Sequence, residues 1–144
     1  MLPARDFIAW KVDKKPVNIE DYFGILEDYA IFRPVGSCSL NDAVRAVADA
    51  IALGRERQQR KLLVDVSGLT GFDSPSITDR YWFIRDWAEV SGGKVQVALV
   101  ARPEMIDAQK FGMNVAANAG LLSAVFPTEA EAVAWLRGNA RTAG

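Results

Sequence analysis

Apolar and polar positions change rhythm several times along this chain, and each change marks an element. Residues 1–5 read as a loose end, and Phe7-Ile8-Ala9-Trp10-Lys11-Val12 reads as a strand stopped by Asp13-Lys14-Lys15-Pro16. A second strand is expected from about Ile19 to Leu26, weakened by Gly24 and its acidic residues. Glu27-Asp28 then turns the chain into Tyr29–Val35, a clearer strand. Its Pro34 implies an edge position or a bulge, because proline has no amide to give to a ladder. The first third of the chain thus reads as antiparallel hairpins.

The rhythm becomes helical at Ser39. Asp42 follows three residues on, a weaker relative of the Ser-x-x-Glu capping box. Leu40, Val44, Val47 and Ile51 then share one helical face. Gly54 and the basic residues Arg55, Arg57, Arg60 and Lys61 mark the C-terminal end, where positive charge complements the helix dipole. A phosphate-binding role is the alternative reading of that run. Leu62-Leu63-Val64-Asp65-Val66 is a short run rich in branched side chains, suited to a strand buried on both faces. A loop, Ser67–Phe72, holds two glycines. The next helix can start at Asp73, Ser74 or Ser76, with Pro75 acceptable in its first turn. Ile77, Tyr81, Ile84 and Ala88 are its expected buried face, broadened by Trp82, Phe83 and Trp87. Ser91-Gly92-Gly93 ends it.

Val95 to Ala101 reads as another buried strand. Arg102-Pro103-Glu104 opens a helix carrying Met105, Ile106, Val115 and Ala119, with Gly120 as its stop. Leu121 to Phe126 reads as the last strand, and Thr128 with Glu131 forms a capping box for a final helix ending near Arg137. From Tyr29 onward strands and helices alternate four times, which implies parallel strands joined by crossover helices. The fold class expected is α/β: a single-domain mixed sheet, a parallel core with an N-terminal antiparallel hairpin, flanked by about four helices. Residues 1–28 extend that domain as a hairpin, 29–137 form its α/β body, and 138–144 are a mobile tail. Open α/β sheets place their sites at the carboxyl ends of the strands. That rim would gather Asp65, Ser67, Thr70, Asp73, Ser74 and Ser76 from one loop, and Arg102 and Glu104 from the next.

Composition narrows the chemistry. The 144 residues are half apolar and about a quarter charged, without low-complexity segments, so the whole chain reads as folded. Lys plus Arg total 17 against 18 for Asp plus Glu, a net charge of −1, which lacks the basic excess of nucleic-acid binders. No apolar stretch approaches the ~18 residues of a membrane span. Arg5 and Asp6 interrupt any signal-peptide core, so a cytoplasmic location is expected. Cys38 is the one cysteine, which excludes an internal disulfide and multi-thiolate zinc sites. Histidine is absent, which removes Ser-His and Cys-His activation and the commoner metal-ligand sets. No metal and no cofactor are expected, and the balance lies against an enzyme.

The run Leu63-Val64-Asp65-Val66-Ser67-Gly68-Leu69-Thr70-Gly71-Phe72-Asp73-Ser74 resembles the central signature of STAS domains, the fold of bacterial anti-sigma factor antagonists. There a strand ending in Asp-Leu-Ser leads through a short loop to Asp-Ser-Ser-Gly at a helix start. Downstream, Val125-Phe126-Pro127-Thr128-Glu129-Ala130-Glu131-Ala132 is similar to the family's approach to its last helix. The resemblance covers roughly residues 29–137 and looks closest to the SpoIIAA-like, STAS/Sec14-like group of small bacterial proteins. It implies a regulatory module with a protein partner. One departure stands out. Pro75 falls where the antagonists carry their phosphorylated serine, Ser74 matches the serine before it, and Ser76 replaces the glycine. The family's phospho-switch therefore does not carry over directly. A phosphate on Ser74 or Ser76 would still lie at a helix N-terminus, where free amides favour anions, although Asp73 would repel it. The other reading is that both serines cap the helix.

Asp65 is open to two readings: a ligand contact or base of raised pKa, or a carboxylate bonded to loop amides that hold the turn. Arg102 could bind an anion; Asp107 with Lys110 is equally an ordinary helical ion pair. Met105, Phe111 and Met113 with Tyr81, Trp82, Phe83 and Trp87 could line an apolar pocket, or form core or interface. Three functions follow. The first is a non-catalytic STAS-like module binding a protein through residues 67–76 and the start of the helix beyond. The second is a carrier of a small apolar ligand or lipid, by analogy with Sec14-like relatives. The third is a carboxylate-dependent enzyme using Asp65 or Glu104. A homodimer through an edge strand or the tryptophan-rich surface is compatible with all three.

Overall fold

A computed structural model describes residues 19–73, 75–102 and 123–138. The expected strand Phe7–Val12 lies outside the described residues. So do Ser74, the helix expected after Arg102 with Glu104, Met105, Ile106, Asp107, Lys110, Phe111, Met113, Val115 and Ala119, and the tail beyond Gly138.

In chain order the described elements are α1 (Ile19–Tyr22), β1 (Phe23–Ile25), β2 (Ala30–Phe32), β3 (Gly36–Ser37) and α2 (Leu40–Glu56). There follow β4 (Lys61–Asp65), β5 (Leu69–Thr70), α3 (Ile77–Ser91), β6 (Gln96–Val100), β7 (Ser123–Phe126) and α4 (Glu129–Leu136). The main sheet runs β1-β2-β4-β6-β7. β1 pairs antiparallel with β2, whereas β2, β4, β6 and β7 are mutually parallel. This is the mixed sheet that the alternating pattern implies.

β4 is the middle strand, and the register puts Leu63 between Ile31 of β2 and Ala98 of β6. Side chains alternate across a strand. Leu62 and Val64 accordingly pack with Val47, Ile51, Ile84 and Trp87 beneath α2 and α3. Leu63 packs with Ile31, Val100, Ala132 and Leu136 under α4 on the other face. Leu62, Leu63 and Val64 are all 0 % exposed, which explains a continuous apolar run instead of an alternating one. Burying each contributes about 1.5–3 kcal/mol.

The helix ends follow their capping residues. The Ser39 hydroxyl accepts from Asp42 N at 3.1 Å, and Thr128 Oγ1 accepts from Glu131 N at 3.2 Å. At α3 the choice among three starts falls on Ser76, where hydroxyl and Asp79 carboxylate exchange bonds with each other's amides. Pro75 therefore precedes the cap and is not in the first turn. Gly92 closes α3 in the left-handed conformation, φ +57°.

Three expectations are corrected. Ile19–Tyr22 is a helical turn, not the start of a strand, because Ile19 and Tyr22 at i, i+3 both reach the core there. Pro34 marks neither an edge strand nor a bulge: β2 lies between β1 and β4, and the proline follows the strand end, buried, where no ladder amide is needed. The buried stripe of α3 is Arg80, Phe83, Ile84, Trp87, Ala88 and Ser91, leaving Tyr81 39 % and Trp82 59 % exposed. Trp87 sets that rotation, since its indole N–H donates to Val44 O of α2 at 3.1 Å.

Candidate functional site

Asp65 closes β4 and is 8 % exposed. Its Oδ1 accepts from Ser67 N at 2.9 Å and Ser67 Oγ at 2.6 Å, so the carboxylate turns the chain out of the sheet. This geometry is that of the second reading, a carboxylate bonded to the loop that holds the turn. Its other neighbour is Glu129, the first residue of α4, with which it shares a hydrogen bond. Glu129 is gripped in turn by Arg33, whose Nε and Nη2 each lie 2.7 Å from a carboxylate oxygen. The guanidinium holds Glu129 down to about 2. Burial, and then the bond to ionised Glu129, push Asp65 up. When the pair holds one proton, Asp65 carries it and donates to Glu129.

Beyond Ser67 the chain is organised by a ladder too short to show as a periodic pattern. β3 and β5 form a separate two-stranded parallel sheet, Gly36 opposite Leu69 and Ser37 opposite Thr70. Cys38 N donates to Thr70 O at 2.8 Å, and Gly36 N to Gly68 O at 3.1 Å. The turn is packed tightly on this side. A Cβ on Gly71, at φ +101°, would come within 2.7 Å of Cys38 O and Ser37 Oγ. Leu69 is fully buried, while Ser67, Thr70, Gly71, Asp73 and Ser76 are exposed. The result is a fixed polar crest standing at the carboxyl end of the central strand.

Arg102, following β6, reaches the same crest: its Nη1 donates to Leu69 O at 3.1 Å. The structure thus gathers Asp65, Ser67, Thr70 and Arg102, with Asp73 and Ser76 following along the crest. Ser74 and Glu104 lie outside the described residues. Arg33 and Glu129 carry the strongest ion pair of the site, yet they stand 96 residues apart and no local pattern pairs them. The available signal was strand order, which places the end of β2 beside the end of β4.

Under the crest, α2 and α3 part slightly above Val66 and Leu99. The gap is an apolar cavity of about 40 Å³ bordered by Val44, Phe72, Pro75, Phe83 and Trp87. Of the aromatic set expected to line a pocket, Phe83 and Trp87 do, whereas Tyr81 and Trp82 point outward. Tyr81 and Trp82 meet edge to face at 5.1 Å, and the Arg85 guanidinium lies 5.6 Å from the Tyr81 ring centroid.

No family model and no curated protein matches the chain. Its fold does match solved structures. An anti-sigma factor antagonist from Mycobacterium paratuberculosis superposes with a TM-score of 0.55 at 16 % identity, covering 80 % of this chain and 91 % of that one. The unphosphorylated anti-sigma factor antagonist SpoIIAA aligns with a TM-score of 0.46 at 18 % identity, over 81 % and 96 %. The chain therefore has the STAS fold of the anti-sigma factor antagonists. Among the described residues no helix is long and apolar enough to cross a membrane.

Proposed function

We propose that this chain is a non-catalytic, STAS-like regulatory module that binds a protein partner through residues 67–76 and the N-terminus of α3. The observation that carries the reading is the rigid crest: polar side chains exposed on a backbone fixed by the β3·β5 ladder, the Asp65–Ser67 bonds and the Ser76–Asp79 box. Such a surface is presented without further ordering cost, which favours recognition of a second surface. Asp65, Ser67 and Arg102 hold the crest, and Thr70, Asp73, Ser74, Ser76 and Glu104 are its contacts. The fold neighbour from Mycobacterium paratuberculosis is an anti-sigma factor antagonist, which fits a regulatory role.

Pro75 at the acceptor position supports a module that works without phosphorylation. The Ser76 hydroxyl is already engaged with Asp79 N at 3.0 Å, so modification there would break a helix cap. An apolar-ligand carrier is less well supported, because the apolar cavity among the described residues, about 40 Å³, is far below the ~300–1,000 Å³ of ligand pockets. An enzyme is less well supported too, since among the described residues the carboxylate of raised pKa, Asp65, is buried and spent on Ser67 and Glu129.

The test is affinity capture from the source organism's extract with wild type, Asp73→Ala and Thr70→Arg, each first checked for an unchanged melting curve. A partner retained by wild type and lost by both variants is expected. Equal retention by all three would sink the crest as the recognition surface.

A further inference from the structure

The opposite end of the sheet carries a second concentration of chemistry. Lys61 and Gln96 begin β4 and β6 there, and α2 and α3 both end there. A cleft of about 480 Å³ is lined by Arg55, Gln58, Gln59, Arg60, Gly93 and Lys94. An adjoining cleft of about 270 Å³ shares Arg60, Gly93 and Lys94 with it and adds Lys61 and Gln96. Cations and carboxamides dominate these walls, and among the described residues neither an acid nor an aromatic ring contributes to them. In a chain of 17 basic and 18 acidic residues, that segregation is local.

Basic residues at helix C-termini ordinarily balance the dipole. Two helix ends supply roughly one negative charge between them, about half a charge each, against four cations here. Glu56 and Glu89, in the last turns of the same two helices, offset part of the difference, and a positive excess remains on the cleft walls. The last carbonyls are, moreover, already bonded: Leu53 O accepts from Arg57 N, Gly54 O from Gln59 N, Ala88 O from Gly92 N and Ser91 O from Lys94 N. Of the acids near this end, Glu20 pairs with Arg57 at 3.6 Å and Asp28 with Arg137 at 2.7 Å, although Asp28 also feels Lys61, while Glu56 and Glu89 lie in the last turns of α2 and α3 and are not among the lining residues. One cation is held in place. Arg55 Nη1 donates to Val90 O at 3.0 Å, and its guanidinium lies on Gly92, where a Cβ would come within 2.6 Å. Gln58 takes the left-handed conformation, φ +61°, at the turn that forms the cleft wall, a conformation uncommon for a residue other than glycine.

We propose that this basal cleft binds a small ligand carrying two or more phosphate charges. Guanidinium forks bond phosphate oxygens bidentately, lysine adds a point charge, and the carboxamides supply neutral donors. The described walls offer charge and hydrogen-bond donors, so the phosphates themselves are what is recognised. Free polyphosphate and a multiply phosphorylated lipid headgroup present the same chemistry.

The experiment is titration calorimetry of the full chain with sodium pyrophosphate at low ionic strength. Its second arm is co-sedimentation with phosphatidylcholine vesicles, with and without a phosphatidylinositol bisphosphate. Arg60→Gln with Lys94→Gln removes two exposed cations at fixed side-chain polarity. One-site pyrophosphate binding is expected, weakened about tenfold or more by the double variant and by added salt. Binding to the bisphosphate vesicles alone, lost in the variant, also supports the cleft and assigns the source to the headgroup. Should the double variant misfold, Lys94→Gln alone is read the same way. Absence of binding to either probe, or binding that the substitutions leave undiminished, overturns the proposal without touching the crest at the other end of the sheet.

Discussion

Asp65 and Glu129 are two carboxylates sharing a hydrogen bond, and their surroundings drive them in opposite directions. Glu129, paired with Arg33, is held to about 2 against an ordinary value of 4.5. Its contribution to stability is therefore complete above about pH 4.5 and is lost as pH falls towards 2. Asp65 is raised above 3.8, chiefly by burial. The folded state holds its proton more tightly than the unfolded chain, so stability is lost as pH rises through that raised value. Asp65→Asn keeps a carbonyl for Ser67 and offers an amide to Glu129 without the second charge. Thermal melts at pH 7 should show Asp65→Asn equal to or above wild type, and Asp65→Ala below it by about 3 °C for each kcal/mol lost. Equal losses in the two variants would overturn this account of the pair.

Cys38 is 9 % exposed, and burial pushes its thiol up, with Asp42 adding to the effect. A thiol held protonated is a poor nucleophile. Reaction with a thiol reagent at pH 8 should be slow in the native protein and become rapid on adding denaturant. Fast native labelling would show that the segment carrying Cys38 opens.

At the scale of elements, the crest depends on β3·β5, a ladder of two residues on each side. Gly71→Ala would place a methyl group 2.7 Å from two oxygens at φ +101°. It should cost about 1–3 kcal/mol and speed amide exchange at Cys38, whose N–H donates across the ladder. Gly93→Ala is the control. Its φ is +75° but no atom lies within 4 Å, so its cost should stay near the lower end and leave Cys38 exchange unchanged. Ser76→Ala should cost about 1 kcal/mol through the lost cap of α3.

Legibility at this scale tracked how local the cause was. The N-caps Ser39 and Thr128 act within four residues and could be read directly. The rotation of α3 could not, because Tyr81 and Trp82 are as apolar as Phe83 and Trp87. What separates them is the bond from Trp87 to Val44, contributed by another helix. The β3·β5 ladder was invisible for the complementary reason: two residues are too few to show a period.

Across the whole molecule, Arg33–Glu129 and Arg137–Asp28 tie the N-terminal hairpin region to α4. Arg33 is about half exposed, so the direct gain from its ion pair is modest, about 1 kcal/mol or less. Its larger effect is on the neighbouring acid. Arg33→Gln should lower the melting temperature more at pH 7 than at pH 4, because Glu129 and Asp65 would then repel without a cation. A loss that does not depend on pH would overturn that coupling. The two ends of the sheet should also act independently. Substitutions at Arg60 and Lys94 leave partner capture by the crest unchanged, and those at Thr70 and Asp73 leave pyrophosphate binding unchanged.

The sequence alone determined what nearest neighbours decide. A doubly buried strand at residues 62–65, helices started by Ser39 and Thr128 and stopped at Gly92, and an alternation that forces parallel crossovers all follow from local chemistry and period. The tertiary structure decided which distant residues meet. Arg33 reaches Glu129 because α4 packs on β4, the neighbour of β2, and the bond to Glu129 adds to the burial that raises Asp65. The crest is rigid because residues 36–38 pass beside it, and the basal cations face one cleft because two helices end on the same side. Contacts of that kind are fixed by how the elements pack, and packing depends on the whole set of buried side chains at once.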